Sequence, residues 1–487
     1  MRLWPLFVGS LVFLLGLTTD IEARKIQHDL LKLDLLYEGV DHELIWLDEE
    51  GISLNAMVLI GILDDLGIYT DIGSGLYKDL DIRLKDRLYS SALLDLLERI
   101  SFVKGRDASN ERANLLEVIK NGELSAYIDR ILPTYDEVSK IRHMIRVYKT
   151  QLDLDWPSMT LVHFKLGQSS KKVLRLRWML TVLGDIKKSE LTIYRKSIYD
   201  PVVIHGIKSF QRRHGLTVNG TLDEPTVLAL NISPKQRVIQ MQQNLWRWIM
   251  LPSSPPDKYI KINIPDYTLE LYVLGELDLT MKVIVGKPSS PTPVLLTQIT
   301  GITINPYWTP SINIIRSELL PLNSRKPGYL NHKGFELHPV GKNLRSVVKL
   351  SNVTSKQLTG LLKRYRLVQS PGEKNALGKL RFTIPNTKSI FLHDTPVKKL
   401  FEGENLALSH GCIRLEKAQA LSEYILSTKN EAKEIRRALN GLNTKYVSLS
   451  DPMLVFIIYL TAWVDNSGKL QLRPDIYHLD TELITGL

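Results

Sequence analysis

Cysteine occurs once in 487 residues, at Cys412. That scarcity excludes an internal disulfide framework and any zinc site that needs two thiolates. No apolar run reaches the ~20 residues that a membrane-spanning helix requires. Lys and Arg are scattered and not gathered into one arm or stripe, so the net charge of +11 does not read as a nucleic-acid surface. The groove-reading motifs are missing as well, so no nucleic acid is expected as a partner. Disorder is not the default either, because 44% of the residues are hydrophobic and 24% charged, as in folded chains of two or three domains.

What is present divides along the chain. Residues 1–23 read as an export signal: Arg2 gives a basic start, Leu3 to Leu17 is apolar, and the chain turns polar at Thr18, with a plausible cut after Ala23. The expected location is then the periplasm, and an uncleaved signal would tether the chain to a membrane. From 24 to 166 Leu, Ile and Val recur at three- and four-residue spacings, which predicts a helical scaffold. From 167 to 233 three shorter helices follow. The first buries Val173, Leu176, Leu180 and Leu183 and closes at Gly184, the second opens at Pro201 and ends at Gly215, and the third is capped by Asp223.

From 256 to 447 the period changes to two. "YIKINI", "TLELYVL" and "DLTMKVIVG" read as antiparallel strands, with more in "QITGITINPYW", "LRFTIP" and "SIFLH". An insertion at about 311–372 is expected to be helical or irregular and to act as a lid. Residues 448–487 carry a hairpin signal that completes the scaffold or the catalytic region.

The lone cysteine lies in "ALSHGCIRLE". A thiol becomes nucleophilic when an imidazole and aimed N–H groups stabilise its anion. His410 is two residues away, and His393 ends "SIFLH". A base on a different strand approaches the sulfur from the front, which favours His393. Gly411 lacks a Cβ, so a substrate carbonyl can approach the N–H groups of Gly411 and Cys412 as an oxyanion hole. Two other readings stay open on residues alone. Cys412 can be a buried packing residue among satisfied histidines, or His393, His410 and Cys412 can hold a metal, although their spacing matches no common zinc pattern.

"IFLHDTP" followed by "SHGCIRLE" resembles the signature of the L,D-transpeptidase catalytic domain, the YkuD-type fold. "NLWRWIMLP", "YIKINIPDYTLELY", "VIVGK", "NPYW", "PGYL", "NALGKLRF" and "YLTAWVD" are similar to the long periplasmic branch of that family, in its order. "FQRRHGL" with "VNGTLDEPTVLALN" resembles a peptidoglycan-binding domain. The resemblance implies an α+β multidomain protein: a helical scaffold, a three-helix binding module, and a mostly antiparallel β-sandwich catalytic domain with a helical lid. It implies that Cys412 attacks the meso-diaminopimelate to D-alanine bond of a tetrapeptide stem, with His393 as base and acid. A neighbouring stem then takes the acyl group to form a 3-3 cross-link, without a metal or other cofactor.

Ser409 and His410 match motif positions that orient the catalytic pair, and Arg414 matches a position that either meets a substrate carboxylate or packs beneath the loop. Trp308 and Tyr365 are candidates to line the groove. Peptidoglycan stems are the implied donor and acceptor, with glycan synthases or other wall enzymes as further partners. A hydrolase on the same site and a non-catalytic wall-binding scaffold are the rival readings.

Overall fold

The structure is a computed structural model and describes residues 33–48, 51–68, 80–105, 114–187, 196–340, 346–351, 353–426 and 429–480. The expected export signal at 1–23 lies outside them. The chain divides into two compact units, one of 1–153 with 234–254 and 484–487, the other of 154–233 with 255–483. No helix among the described residues is long and apolar enough to cross a membrane.

The first unit is helical. A short hairpin, β1 (Leu47–Asp48) and β2 (Gly51–Ile52), precedes α1 (Leu54–Asp65), α2 (Ile82–Lys104), α3 (Leu115–Lys120), α4 (Leu124–Asp129) and α5 (Asp136–Lys149). The apolar spacing does what it predicts in α2, where Leu93, Leu96, Leu97 and Ile100 are all buried. Asp86 is also buried, and its carboxylate accepts the N–H groups of Ile45, Trp46 and Leu47 and the Tyr37 hydroxyl. A charge so fully bonded is a structural cap for the entering chain. The Pro234–Ile249 helix belongs to this unit, although it follows the three shorter helices in sequence.

The second unit begins with those helices: α6 (Lys171–Val182), α7 (Pro201–Arg213) and α8 (Glu224–Leu230). Ser170, Asp200 and Asp223 cap them by accepting backbone N–H groups from Lys172, Val203 and Thr226. Val173, Leu176, Leu180, Val203, Ile207 and Phe210 are fully buried, as their spacing predicts. Arg473, from the far end of the chain, donates to Asp266 at 2.7 Å and to the Arg213 carbonyl at 3.1 Å, linking α7 to the sheet below.

That sheet has nine strands among the described residues. They are β3 (Lys258–Asn263), β4 (Thr268–Val273), β5 (Glu276–Gly286), β6 (Leu295–Ile304), β10 (Leu380–Thr383), β11 (Leu392–His393), β12 (Ala407–Ser409), β13 (Ile413–Leu415) and β14 (Lys445–Ile458). The order is β12-β5-β13-β11-β10-β6-β14-β3-β4, and β4 also pairs with β5, so the hydrogen bonding returns on itself. The pairing is mostly antiparallel, as expected, but the sheet is mixed and closed on itself and not a sandwich: β11–β13, β12–β5 and β14–β3 run parallel. The hairpin signal in the sequence includes the second half of β14, from Pro452 on. β14 instead fills the middle of the sheet between β6 and β3, and the hairpin is the short pair β15 (Ala462–Val464) and β16 (Leu470–Leu472).

The insertion, expected to be helical or irregular, also contains a sheet. It has helical turns at Ile312–Ile314, Ile315–Leu319, Leu320–Arg325, Tyr329–His332 and Ser355–Leu361, and a three-stranded sheet of β7 (Phe335–Pro339), β8 (Val348–Lys349) and β9 (Tyr365–Gln369). Its own apolar core includes Ile315, Leu319, Leu330, Phe335, Leu337 and Leu367.

Candidate active site

Strand alternation decides which residues share the site. Leu380, Phe382, Leu392, Ile413 and Leu415 face the main core and are almost wholly buried. With period two, Arg381, His393 and Arg414 must then face the opposite side. The register aligns them: Arg381 pairs with His393 across β10–β11, and His393 with Arg414 across β11–β13. Cys412 precedes β13 by one residue, and the Ile413 N–H donates to the Phe391 carbonyl at 3.1 Å. The thiol thus emerges beside the strand that carries the histidine, as the two-strand argument for His393 requires.

The turn before Cys412 is built from within. Ser409 is buried; its Oγ accepts the Gly411 N–H at 3.0 Å and donates to the Cys412 carbonyl at 2.6 Å. Gly411 has φ 107°, and a Cβ there would come within 3.0 Å of Ile390 Cδ1, so only glycine fits without strain. The Thr292 hydroxyl donates to the Gly411 carbonyl at 2.8 Å, and the Tyr477 hydroxyl donates to the Gly286 carbonyl at 2.5 Å behind it. This corrects the oxyanion expectation. The Gly411 N–H is already taken by Ser409, which leaves the Cys412 N–H as the backbone donor that no acceptor among the described residues occupies.

His393 is buried, and its Nδ1 lies 2.5 Å from the Asp394 carbonyl oxygen. A carbonyl only accepts, so Nδ1 carries the proton and Nε2 keeps its lone pair. Burial, then the Arg414 and Arg381 charges, depress the imidazole to about 3, against a smaller upward pull from Asp394. The Cys412 thiol is pushed up by burial, while the Phe391 backbone and the same two arginines pull the other way. Its Sγ donates to the Ser389 carbonyl at 3.9 Å. Asn386 fixes that turn, accepting the Ile390 N–H at 2.9 Å and donating to the Ile384 and Ile390 carbonyls. At neutral pH the resting pair is therefore a thiol and a neutral imidazole, each tied to a carbonyl.

His410 is brought to the rim. Its Nε2 lies 2.7 Å from Glu318 Oε1 and 3.4 Å from Lys287 Nζ. Glu318 comes from the π-helical turn Ile315–Leu319 of the insertion, and its charge also acts on Arg414. Nothing in the sequence pairs position 318 with the cysteine loop, so Glu318 escaped sequence reasoning. Arg381 also escaped, although the alternation in "LRFT" was a usable signal. Trp308 and Tyr365, expected to line the groove, pack instead against the insertion's own core, with the Trp308 ring 5.8 Å from that of Phe335.

Residues 257–436, which hold both Cys412 and His393, match the L,D-transpeptidase catalytic domain, YkuD. A Haemophilus influenzae protein provisionally named an L,D-transpeptidase is 33% identical over 225 residues, 46% of this chain and 45% of that protein. The chain thus matches less than half the length of this curated relative. Among solved structures, an L,D-transpeptidase from Mycobacterium smegmatis is similar at 17% identity, covering 42% of this chain and 59% of that one with a TM-score of 0.20. Another, from Stackebrandtia nassauensis, is similar at 13% identity, covering 62% of this chain and 97% of that one with a TM-score of 0.23. The family match assigns residues 257–436 to the catalytic domain of a cysteine-dependent enzyme family, the L,D-transpeptidases.

Proposed function

From that catalytic domain we propose that the protein is a peptidoglycan L,D-transpeptidase exported to the periplasm. The observation that carries the reading is the placement of Cys412, His393 and Arg414 on one face of adjoining strands, with the Cys412 N–H bonded to no acceptor among the described residues. Donor binding draws the thiol proton from Ser389 to His393 Nε2, and Sγ attacks the carbonyl of the meso-diaminopimelate to D-alanine bond. The oxyanion forms at the Cys412 N–H. The imidazolium returns its proton to the departing amine, D-alanine leaves, and a thioester remains. The side-chain amine of a second diaminopimelate then attacks, gives its proton to His393, and releases the thiol, producing a 3-3 cross-link.

The three helices α6 to α8 are proposed as a wall-binding module, the region before them as a scaffold, and the insertion at 311–372 as a lid that shields the thioester from water. The pattern of residues 1–23 supports export. The test is to incubate the full chain and Cys412→Ala with disaccharide-tetrapeptides and read products by mass. A tetrapeptide-tripeptide dimer that needs Cys412 is expected. Tripeptide and D-alanine alone would make the protein a hydrolase, and unchanged substrate would favour a non-catalytic scaffold. A carbapenem should add its mass to the native chain and not to Cys412→Ala.

A further inference from the structure

Two guanidinium groups flank His393, and their surroundings differ. Same-face neighbours across paired strands stand about 5 Å apart, so the row reads Arg414, His393, Arg381 from β13 to β10. Cys412 comes two residues before Arg414, so it stands one row over, level with Phe391 by extension of the Leu392–Ile413 pairing. Arg381 is two strands from β13, yet its charge reaches the sulfur as well as the imidazole. Arg414 already feels a carboxylate, that of Glu318. Arg381 has no hydrogen-bond or ion-pair partner among the described residues, and its Nε is shut off from water with nothing to bond. The guanidinium rests 4.5 Å over the Phe391 ring.

The carboxylate nearest in sequence to His393, that of Asp394, is committed elsewhere. One oxygen accepts from Lys398 Nζ at 2.7 Å and the other from the Lys379 N–H at 3.0 Å. A half-buried cation with a buried, unpaired N–H is unfavourable until an anion arrives.

We propose that Arg381 receives the C-terminal carboxylate of the amino acid that leaves the donor peptide. The inference rests on the transpeptidase reading above and names a residue that selects its donor. The departing amine takes its proton from His393 Nε2, and a free C-terminal carboxylate is one carbon away from that amine. With the amine at His393, the carboxylate one carbon beyond it falls within reach of Arg381, the neighbour of His393 on β10. The planar fork of a guanidinium matches a carboxylate with two parallel N–H bonds. The site thereby measures the donor, favouring a stem that ends one residue past the bond to be broken and ends in a free acid. A donor with an amidated end leaves the fork unpaired.

The experiment compares two donors, the tetrapeptide with a free C-terminal carboxylate and the same peptide as its carboxamide, on the full chain and on Arg381→Gln and Arg381→Lys. The native chain is expected to favour the carboxylate by about tenfold to a hundredfold in kcat/KM, the usual worth of a charge-assisted hydrogen bond. Arg381→Gln should bring that ratio close to one, and Arg381→Lys should keep part of it. A native ratio near one overturns the proposal without any variant. An equal fall for both donors in Arg381→Gln, with the ratio kept, also overturns it, since that is what a merely structural arginine would give. If the native chain consumes neither donor, the transpeptidase reading fails by itself. Calorimetric binding of the two peptides to Cys412→Ala then reads the arginine separately, and equal affinities or no binding refute it.

Discussion

Replacing Ser409 by alanine removes one hydroxyl and should disable the site through the backbone. The Oγ is the acceptor for the Gly411 N–H and the donor to the Cys412 carbonyl, at 3.0 and 2.6 Å. Ser409 is 2% exposed, so water cannot readily replace either bond. A buried polar group left without a partner costs about 1–3 kcal/mol. With a donor and an acceptor both stranded, and some relaxation of the turn, the folded second unit should lose about 2–4 kcal/mol. The rate should fall further than stability alone dictates, because a shift of about 1 Å at a reacting atom costs on the order of a hundredfold.

The assay pairs urea unfolding with donor turnover measured well below the unfolding transition, so that the fraction folded does not enter the rate. Ser409→Thr, which retains the hydroxyl, should recover most of the loss if the added methyl is accommodated. The opposite result is informative. If Ser409→Ala turns over donor faster than the native chain, the Gly411 N–H was being withheld from an oxyanion that it can stabilise, and the single-donor reading of Cys412 fails. Native stability and native turnover together would show that the hydroxyl does not hold the turn.

His393 supplies a stability prediction with a definite sign. Its folded pKa, about 3, is below the unfolded value of roughly 6.5, so the unfolded chain binds the proton first. Its contribution is complete above pH 6.5 and is lost as pH falls toward 3, at up to about 1.4 kcal/mol per pH unit. Urea titrations at several pH values should show the slope, and His393→Gln should flatten it; an unchanged slope would mean that the imidazole is not held neutral by the fold. Glu318→Gln should weaken the contacts from the insertion to His410 and Lys287, reducing donor turnover a few-fold and speeding proteolysis within 311–372. Identical cleavage and turnover would show that these rim contacts do not hold the insertion near the thiol.

Local chemistry made much of the fold readable. The cap at Asp223, the first-turn Pro201 and the faces carrying Leu176, Leu180, Ile207 and Phe210 lie where their spacing puts them, because a helix face is decided by residues three or four apart. The strand alternation around His393 was readable for the same reason. Pairing was not. The insertion of β14 between β6 and β3 and the closure of β4 on β5 depend on contacts distant in sequence, on which local period is silent. The segment "LLKRYRLVQ" shows a related failure: its apolar positions suit a helix, yet the helix stops at Leu361 and Tyr365–Gln369 joins a sheet. At the site, the sequence singles out Cys412 and His393, which adjoining strands bring near one another, but it gives the Gly411 N–H to the substrate, since the side chain that claims it is two residues away in a turn whose geometry no pattern announces.

The electrostatics of the pair give that geometry a consequence for timing. Burial alone pushes a thiol up and an imidazole down, and here the same arginines act on both groups in ways that conflict. Arg414 and Arg381 favour a thiolate at Cys412 and disfavour an imidazolium at His393. A thiol can hand its proton to the imidazole only when both penalties are eased together. A donor carboxylate held by Arg381, as proposed above, would cancel part of the charge that weakens His393 as a base, while the Cys412 N–H would hold the developing oxyanion. The resting thiol, neutral and bonded to the Ser389 carbonyl, is a poor target for oxidants, which attack thiolates. In the exported enzyme proposed above, a lone cysteine would therefore stay reduced and become nucleophilic only when the donor peptide arrives.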